Sequence, residues 1–365
     1  GVDLVEQMIR SAAGHPLSMA QSDVTLSGWS VESRVYAEDP VRGFLPSIGR
    51  LTQYRPPAET SHPNHIVRVD TGVVEGSEIS MFYDPMIAKL VTHAPDRLTA
   101  IAAMEESLDR FQIDGIQHNM GFLSALMTHP RWKSGELTTN FIAEEFPDGF
   151  EPVAPNEEEA LVLASVALAI ELVERKRLDR LTGRLRPNSG KIKPAWAIFT
   201  DGERIDVSGV DGDAVPPVNL SASVGEKQVA IASQWVPGEG LWSGTVNGQT
   251  VAVRVARNGN KMTLERRGAQ VEAQVLPRAH GDLMELMPEK IAPDTSKYLL
   301  CPMPGLVVSL HVEVGDKVQP GQQLAIVEAM KMENILRAER EATVKEIKVE
   351  AGQSLAVDTV MVEFD

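Results

Sequence analysis

The sequence holds a single cysteine, Cys301, among its 365 residues. One cysteine cannot form an intramolecular disulfide, so no disulfide framework supports the fold, and this composition is typical of a reducing compartment. Basic residues are also few, because 35 Lys and Arg face 51 Asp and Glu and leave a formal net charge of -16. Nucleic-acid binding depends on clustered basic side chains that contact phosphates. The charge balance therefore argues against a nucleic-acid partner.

Long apolar runs are absent as well. The longest, 160–170, is interrupted by Ser165 and followed by Glu171. It holds about half of the roughly 20 residues that a helix needs to cross a bilayer, so we expect no membrane partner. The first residues show no signal peptide and begin at Gly1 in the manner of the middle of a domain. From this we expect a piece of a longer protein.

Three regions of different composition predict an α+β protein of several domains. Residues 1–150 mix helical and strand patterns. Within them, Asp96–Asp109 predicts an amphipathic helix. The apolar residues at helical spacing are Leu98, Ile101, Ala102, Met104 and Leu108.

The second region, 151–286, opens with a helix predicted over 157–177. Three glutamates at 157–159 suit a helix N-terminus, and the apolar residues that follow occupy every side of the helix. Such a helix must be enclosed by protein. The turn signals that follow are Asp201-Gly202, Asp211-Gly212, Gly238–Gly240, Asn247-Gly248 and Asn258-Gly259. They predict hairpins of an antiparallel β-barrel closed around the helix, and the alternative is a helix packed on one face of a sheet.

A linker at 287–296 leads to the last region, 297–365. Two prolines and several charged or hydroxyl residues predict a semi-rigid, solvated linker. The last region contains an internal repeat, because residues 304–328 resemble residues 341–363. A shift of 37 places Val307 on Val344, Leu310 on Ile347, Val312 on Val349, Gly315 on Gly352 and Val318 on Leu355. Each half is too small to bury its own apolar face, so the repeat predicts one flattened β-sandwich with a pseudo-two-fold axis.

Lys331 lies where the two halves of this repeat meet, between Met330 and Met332. A hairpin at the junction would expose the lysine amine to a modifying enzyme and leave an attached group free to travel. An ordinary surface lysine is the alternative. The sequence therefore offers Lys331 as a candidate site of covalent modification.

The segments Glu328-Ala-Met-Lys-Met332 and Cys301-Pro-Met-Pro-Gly305 together resemble the biotinyl domain of biotin-dependent carboxylases. The resemblance implies biotin joined covalently to Lys331, with Met330 and Met332 beside it, and a biotin protein ligase as a partner. Lipoyl domains share this fold, but they usually carry Asp-Lys-Ala at the tip.

Four segments of the first region resemble the C-terminal subdomain of biotin carboxylase, an ATP-grasp enzyme. They are Val31–Asp39, Phe44–Ser47, Tyr83–Leu90 and Phe111–Gly115. The resemblance implies that Arg68, within Val67-Arg68-Val69-Asp70, is catalytic and stabilises the negative charge that develops on the biotin ureido oxygen. A surface salt bridge between Arg68 and a nearby carboxylate is the alternative.

Residues 1–150 contain no glycine-rich phosphate loop. The resemblance therefore implies that ATP and Mg²⁺ bind only in the full-length protein, and that this chain alone is inactive. His62 and His65 have no carboxylate or cysteine at metal-ligand spacing, so we predict no metal site.

The region 151–286 resembles the domain of acyl-CoA carboxylase α subunits that docks a separate carboxyltransferase β subunit. The resemblance implies a hetero-oligomer of α6β6 type in which biotin is carboxylated with ATP and bicarbonate and its carboxyl group then passes to an acyl-CoA. The overall pattern most resembles bacterial propionyl-CoA carboxylase α subunits. The alternatives are a 3-methylcrotonyl-CoA or broader acyl-CoA carboxylase, or the passive biotin carrier of a decarboxylase. The expected compartment is the bacterial cytoplasm or the mitochondrial matrix.

Overall fold

A computed structural model of the chain describes residues 2–62, 64–80, 82–183, 192–288, 297–329 and 332–365, with the side chains of His62 and Met332 excepted. The helices are α1 (Leu4–Ala12), α2 (Arg97–Arg110), α3 (Met120–Thr128), α4 (Pro130–Ser134), α5 (Phe141–Glu145), α6 (Glu157–Asp179) and α7 (Arg278–Met284). The strands form three groups along the chain. Met330 and Lys331 lie outside the described residues, as does most of the predicted linker.

The first group of strands belongs to an N-terminal domain. Its strands are β1 (Trp29–Tyr36), β2 (Glu38–Asp39), β3 (Leu45–Pro46), β4 (Gly49–Arg50), β5 (Gln53–Arg55), β6 (Thr60–His62), β7 (His65–Thr71), β8 (Glu78–Ile79), β9 (Met86–Ala94) and β10 (Gln112–Asp114). Four of them form an antiparallel sheet in the order β1-β9-β7-β6. Helices α2 and α3 contact it and each other over a core that includes Leu90, Met104 and Met120. One face of the sheet is thereby buried and the other is left open.

The predicted amphipathic helix is present as α2. It begins where the Asp96 carboxylate accepts a hydrogen bond from the Thr99 N–H at 2.9 Å, which satisfies one of the free N–H groups of the first turn. The prediction was wrong about Leu98, which is 58% exposed, and about Ala102, which is also exposed. The buried face instead includes small residues such as Ala100 and Ala103, because the sheet approaches the helix closely there.

The second group of strands closes a barrel. Its strands are β11 (Trp196–Thr200), β12 (Glu203–Asp213), β13 (Val218–Val224), β14 (Lys227–Ser233), β15 (Leu241–Val246), β16 (Gln249–Asn258), β17 (Lys261–Arg266) and β18 (Ala269–Pro277). Each pairs antiparallel with the next, and β18 pairs with β11. Helix α6 runs inside, and its Leu163, Val166 and Ile170 are at most 1% exposed. The enclosed helix is confirmed, and the alternative of a helix on one face of a sheet is wrong.

Most of the predicted turns of the barrel are confirmed, and one is wrong. Asp201-Gly202, Asn247-Gly248 and the Asn258-Gly259 region join successive strands. Asp211 and Gly212 instead lie within β12 beside a bulge, where a Cβ on Gly212 would come within 2.2 Å of the Asn219 carbonyl oxygen. Glycine is needed there for the close approach of the next strand, not for a reversal of the chain.

The third group of strands forms two four-stranded sheets, which we call the carrier domain (297–365). Its strands are β19 (Tyr298–Leu300), β20 (Gly305–Leu310), β21 (Lys317–Val318), β22 (Gln323–Ala329), β23 (Met332–Arg337), β24 (Ala342–Ile347), β25 (Ser354–Leu355) and β26 (Val360–Phe364). The sheet orders are β23-β22-β20-β25 and β19-β26-β24-β21. A shift of 37 residues carries β20 onto β24 and β21 onto β25, so the repeat is confirmed.

Among the described residues, no helix combines the length and the apolar character that crossing a membrane requires.

The enclosed helix predicts a large difference between two leucines of α6. Leu168 is fully buried inside the barrel, whereas Leu178 is 50% exposed near the end of the helix. Leu168→Ala removes buried methyl groups and leaves a cavity, so we expect it to lower the free energy of unfolding by about 2–5 kcal/mol. Leu178→Ala should lower it by less than about 1 kcal/mol. Urea unfolding followed by far-ultraviolet circular dichroism compares the two, and equal losses would contradict an enclosed helix.

Candidate functional site

The pseudo-two-fold axis of the carrier domain determines where the chain passes from one half to the other. The Gly315 N–H donates to the Val344 carbonyl at 2.8 Å, and its counterpart in the repeat, the Gly352 N–H, donates to the Val307 carbonyl at 2.7 Å. Each half also contributes an edge strand to the sheet of the other, because β25 pairs with β20 and β21 pairs with β24. Neither half can therefore form all of its hydrogen bonds alone.

The passage between the halves is the connection from β22 to β23. Ala329 is the last residue of β22, Met332 is the first residue of β23, and these two residues pair. Only Met330 and Lys331 separate them in the sequence. In the sequence, the candidate lysine therefore lies between two paired strands, and Met330, Lys331 and the side chain of Met332 are outside the described residues.

The Cys301-Pro-Met-Pro-Gly305 segment contacts both strands of this hairpin. Cys301 is fully buried, and its Sγ lies 3.0 Å from the Met303 carbonyl oxygen, to which the thiol donates. Burial raises the pKa of the Cys301 thiol, so this cysteine has a structural role rather than that of a thiolate nucleophile. Met303 is 1% exposed, and its Sδ lies 3.4 Å from Nδ2 of Asn334 on β23.

Gly305 explains why this segment ends in glycine. A Cβ at this position would come within 2.6 Å of Val327 Cγ1 and 2.7 Å of the Glu328 carbonyl oxygen. Both residues belong to β22, immediately before the hairpin end. Any side chain at 305 would therefore displace the strand that leads to Lys331. The resemblance pointed to this motif from the sequence alone. The physical reason for its glycine is the close packing of β20 against β22, which only the structure shows.

Arg68 lies on β7, on the open face of the N-terminal sheet. Its Nη2 atom lies 2.9 Å from Asp70 Oδ2, and 62% of its side chain is exposed. The salt bridge that was anticipated as the alternative is therefore present. It orients the guanidinium and still leaves it accessible from outside. The catalytic assignment of Arg68 stays a prediction.

The open face carries a second arginine–carboxylate pair. On β1, Arg34 Nε lies 3.1 Å from Glu32 Oε1, and the side chains are 57% and 44% exposed. The hydrogen bond to Glu32 raises the pKa of the Arg34 guanidinium above its usual value. Lys89 on β9 pairs with both Arg34 and Asp70 across the strands. The sequence analysis missed this set of charges, because strand register is needed to bring the residues together.

A metal centre is not formed by the described part of the chain. No three His, Cys, Asp or Glu side chains there come together in a way that could hold a metal ion. The side chain of His62 is outside the described residues and is not covered by this statement. The described residues offer two arginine–carboxylate pairs on the open sheet face, and two paired strands whose ends, Ala329 and Met332, flank Met330 and Lys331 in the sequence.

Three families match the chain in succession. Residues 32–144 match the biotin carboxylase C-terminal domain, residues 163–290 match the propionyl-coenzyme A carboxylase BT domain, and residues 297–364 match the family described as biotin-requiring enzyme. These matches cover the N-terminal domain, the barrel with most of its helix, and the carrier domain, respectively.

Among curated proteins, the propionyl-CoA carboxylase alpha chain of Ruegeria pomeroyi is 48% identical over 100% of this chain and 55% of its own length. The mitochondrial propionyl-CoA carboxylase alpha chain of Mus musculus is 35% identical over 100% of this chain and 50% of its own length. The methylcrotonoyl-CoA carboxylase subunit alpha of Arabidopsis thaliana is 30% identical over 98% of this chain and 52% of its own length. The chain thus spans about half the length of these relatives. Along its length it is similar to the α chains of propionyl-CoA and methylcrotonoyl-CoA carboxylases.

Proposed function

We propose that this chain is the biotin-carrying part of a propionyl-CoA carboxylase α subunit, with biotin joined to Lys331. The observation that carries the proposal is the β22–β23 hairpin, whose paired ends Ala329 and Met332 leave only two residues between them. A tether needs an amine at an accessible point of a rigid support. The matches of residues 32–144 to the biotin carboxylase C-terminal domain and of residues 163–290 to the propionyl-coenzyme A carboxylase BT domain favour biotin over lipoate.

When bound, biotin carries a carboxyl group from bicarbonate to an acyl-CoA. The Arg68 guanidinium would bind the ureido oxygen and stabilise negative charge there, because its planar N–H groups form a fixed set of donors. Asp70 would hold that guanidinium in position through the 2.9 Å ion pair. Lys331 would keep the group near both reaction sites and so raise its effective concentration at each.

The barrel would dock a carboxyltransferase β subunit, and the assembled enzyme would be of α6β6 type. The match of residues 163–290 to the BT domain supports docking by this region. ATP and Mg²⁺ would bind to parts of the full-length protein other than this chain. A biotin protein ligase would attach the biotin.

A 3-methylcrotonyl-CoA carboxylase is the second candidate, supported by the 30% identity to the methylcrotonoyl-CoA carboxylase subunit. The higher identities to propionyl-CoA carboxylase alpha chains favour propionyl-CoA. The passive carrier of a decarboxylase is disfavoured, because such a protein has no use for the biotin carboxylase domain that residues 32–144 match.

The compartment follows from the same relatives. Those from animals are named as mitochondrial, and that of Ruegeria pomeroyi is bacterial. We therefore propose the bacterial cytoplasm or the mitochondrial matrix, both of which suit a chain with one buried, unpaired cysteine.

The overall reaction tests the substrate and the tether together. The full-length α subunit, assembled with its β subunit, should incorporate labelled bicarbonate into propionyl-CoA faster than into 3-methylcrotonyl-CoA. Lys331→Arg should abolish incorporation, because arginine keeps the charge but cannot form the amide. Lys317→Arg, at an exposed position on β21, should leave it unchanged. Faster reaction of 3-methylcrotonyl-CoA would support the second candidate, and activity in Lys331→Arg would refute the tether.

A second prediction concerns Gly305. Gly305→Ala should lower the stability of the carrier domain by about 1–3 kcal/mol and slow its biotinylation, because the methyl group displaces β22 beside the hairpin. Gly315→Ala is the control, since it strains a left-handed backbone (φ +96°) but meets no atom within 4 Å. The rate of biotin transfer by a purified biotin protein ligase, followed by intact mass, compares the two variants. Equal rates would contradict the support given by Gly305.

A third prediction concerns Arg68. In the full-length protein, Arg68→Ala should slow biotin carboxylation by about 100-fold or more, because the charge on the ureido oxygen loses its stabilising donors. Arg10→Ala is the control, because Arg10 forms a similarly exposed ion pair with Glu6 on α1, outside this sheet. Bicarbonate-dependent cleavage of ATP with free biotin measures both. An Arg68→Ala protein as active as Arg10→Ala would remove the catalytic assignment.

A further inference from the structure

The β17–β18 hairpin of the barrel projects against the N-terminal domain. Its turn contains Arg267 and Gly268, and a Cβ on Gly268 would come within 2.8 Å of the Ala125 nitrogen and 3.1 Å of the Gly121 carbonyl oxygen. Both belong to α3. The turn therefore sits against the backbone of this helix at a distance that only glycine allows.

Arg254, on the neighbouring strand β16, joins the same two domains. Its Nη1 atom donates to the Leu108 carbonyl at 2.6 Å, near the C-terminal end of α2, where helix carbonyls lack a partner within the helix. Its Nη2 atom lies 2.9 Å from Glu265 Oε2 on β17. Although burial works to raise the pKa of Glu265, the charges of Arg254 and His118 hold it below its usual value. Arg254 itself is only 8% exposed.

Asp109 forms a third link, one residue further along α2. It is 4% exposed, and its Oδ1 accepts a hydrogen bond from the Arg267 N–H at 2.8 Å. Burial raises the pKa of Asp109 to about 6, against the opposing effects of that hydrogen bond and the nearby arginines. Next to it, Arg266 lies 4.0 Å from Asp109 and donates to both carboxylate oxygens of Glu159 on α6. The hairpin thus connects α2 with the enclosed helix.

We propose that the β17–β18 hairpin fixes the barrel and the N-terminal domain as one rigid body. The buried charges are paired in this arrangement. A shift of the hairpin along α2 and α3 would separate each charge from its partner while it is still buried, which is energetically costly. Resting on the proposed function, the consequence is that the docking barrel and the biotin carboxylase site keep a constant separation. The carrier domain alone then moves between the two reaction sites.

Two glycines of the barrel provide a matched test. Gly268 and Gly248 both have φ +80° and follow residues with φ 51°, Arg267 and Asn247, in equivalent hairpin turns. A Cβ on Gly248 meets no atom within 4 Å. Alanine at either position therefore introduces the same backbone strain, but only Gly268→Ala also drives a methyl group into α3.

The measurement is the distance between two nitroxide labels in this chain, by pulsed electron–electron double resonance. The labels are placed on Glu136→Cys in the N-terminal domain and Glu226→Cys in the barrel, both exposed, while the native Cys301 is buried. We expect a narrow distance distribution in the otherwise unchanged protein and with Gly248→Ala, and a broad or shifted one with Gly268→Ala. A broad distribution without either alanine, or an equally narrow one in all three proteins, would overturn the proposal.

If Gly268→Ala fails to fold, Arg254→Met provides a second test by the same distance measurement. It leaves the turn intact and removes the link to Leu108 and the partner of Glu265, so the distance distribution should again broaden. Arg204→Met is its control, because Arg204 pairs with Asp206 and Asp282 outside the contact between the domains. Equal distributions in the two methionine variants would contradict the proposal. Neither measurement depends on biotin or turnover, so its outcome is independent of the proposed function.

Discussion

The reciprocal pairing of the two halves of the carrier domain is the constraint on which its proposed function depends. Gly315 bonds to Val344 and Gly352 bonds to Val307, so neither sheet is complete until both halves are in place. The chain must then pass between the halves at one point. That point is the β22–β23 hairpin, whose two central residues are Met330 and Lys331. In the sequence, Lys331 thus stands at the junction of the two halves.

The N-terminal domain and the barrel are joined by buried contacts. The barrel encloses α6, and its β17–β18 hairpin places Arg266 beside Glu159 of α6 and Asp109 of α2, whose carboxylate also accepts a hydrogen bond from the Arg267 N–H. Desolvated pairs of this kind contribute little net stability, but they restrict the arrangements in which the buried charges are satisfied. A rigid pair of domains and a carrier on a linker suit a reaction divided between two sites.

Local patterns predicted much of this architecture. The apolar circumference of α6 required an enclosing structure, and the 37-residue repeat reproduced the strand correspondence between the carrier sheets. The predictions were wrong where a residue packs against a backbone segment that is remote in the sequence but close in space. Gly212 was predicted to form a turn but permits close approach of β13, and Leu98 faces solvent because small residues pack on the sheet. The contact of Gly268 with α3 gave no local signal, since its turn resembles that of Gly248.

The candidate site was likewise predicted only in part from the sequence. The family motifs identified Lys331 and Arg68, but strand pairing was needed to set Arg34 and its carboxylate beside Arg68 on one sheet face. The most direct measurement of the central claim is peptide mapping by tandem mass spectrometry of the full-length protein, isolated from cells that express its biotin protein ligase. We expect one biotinyl group on the peptide that contains Lys331. Lipoate there, biotin on a different lysine, or an unmodified peptide would contradict it.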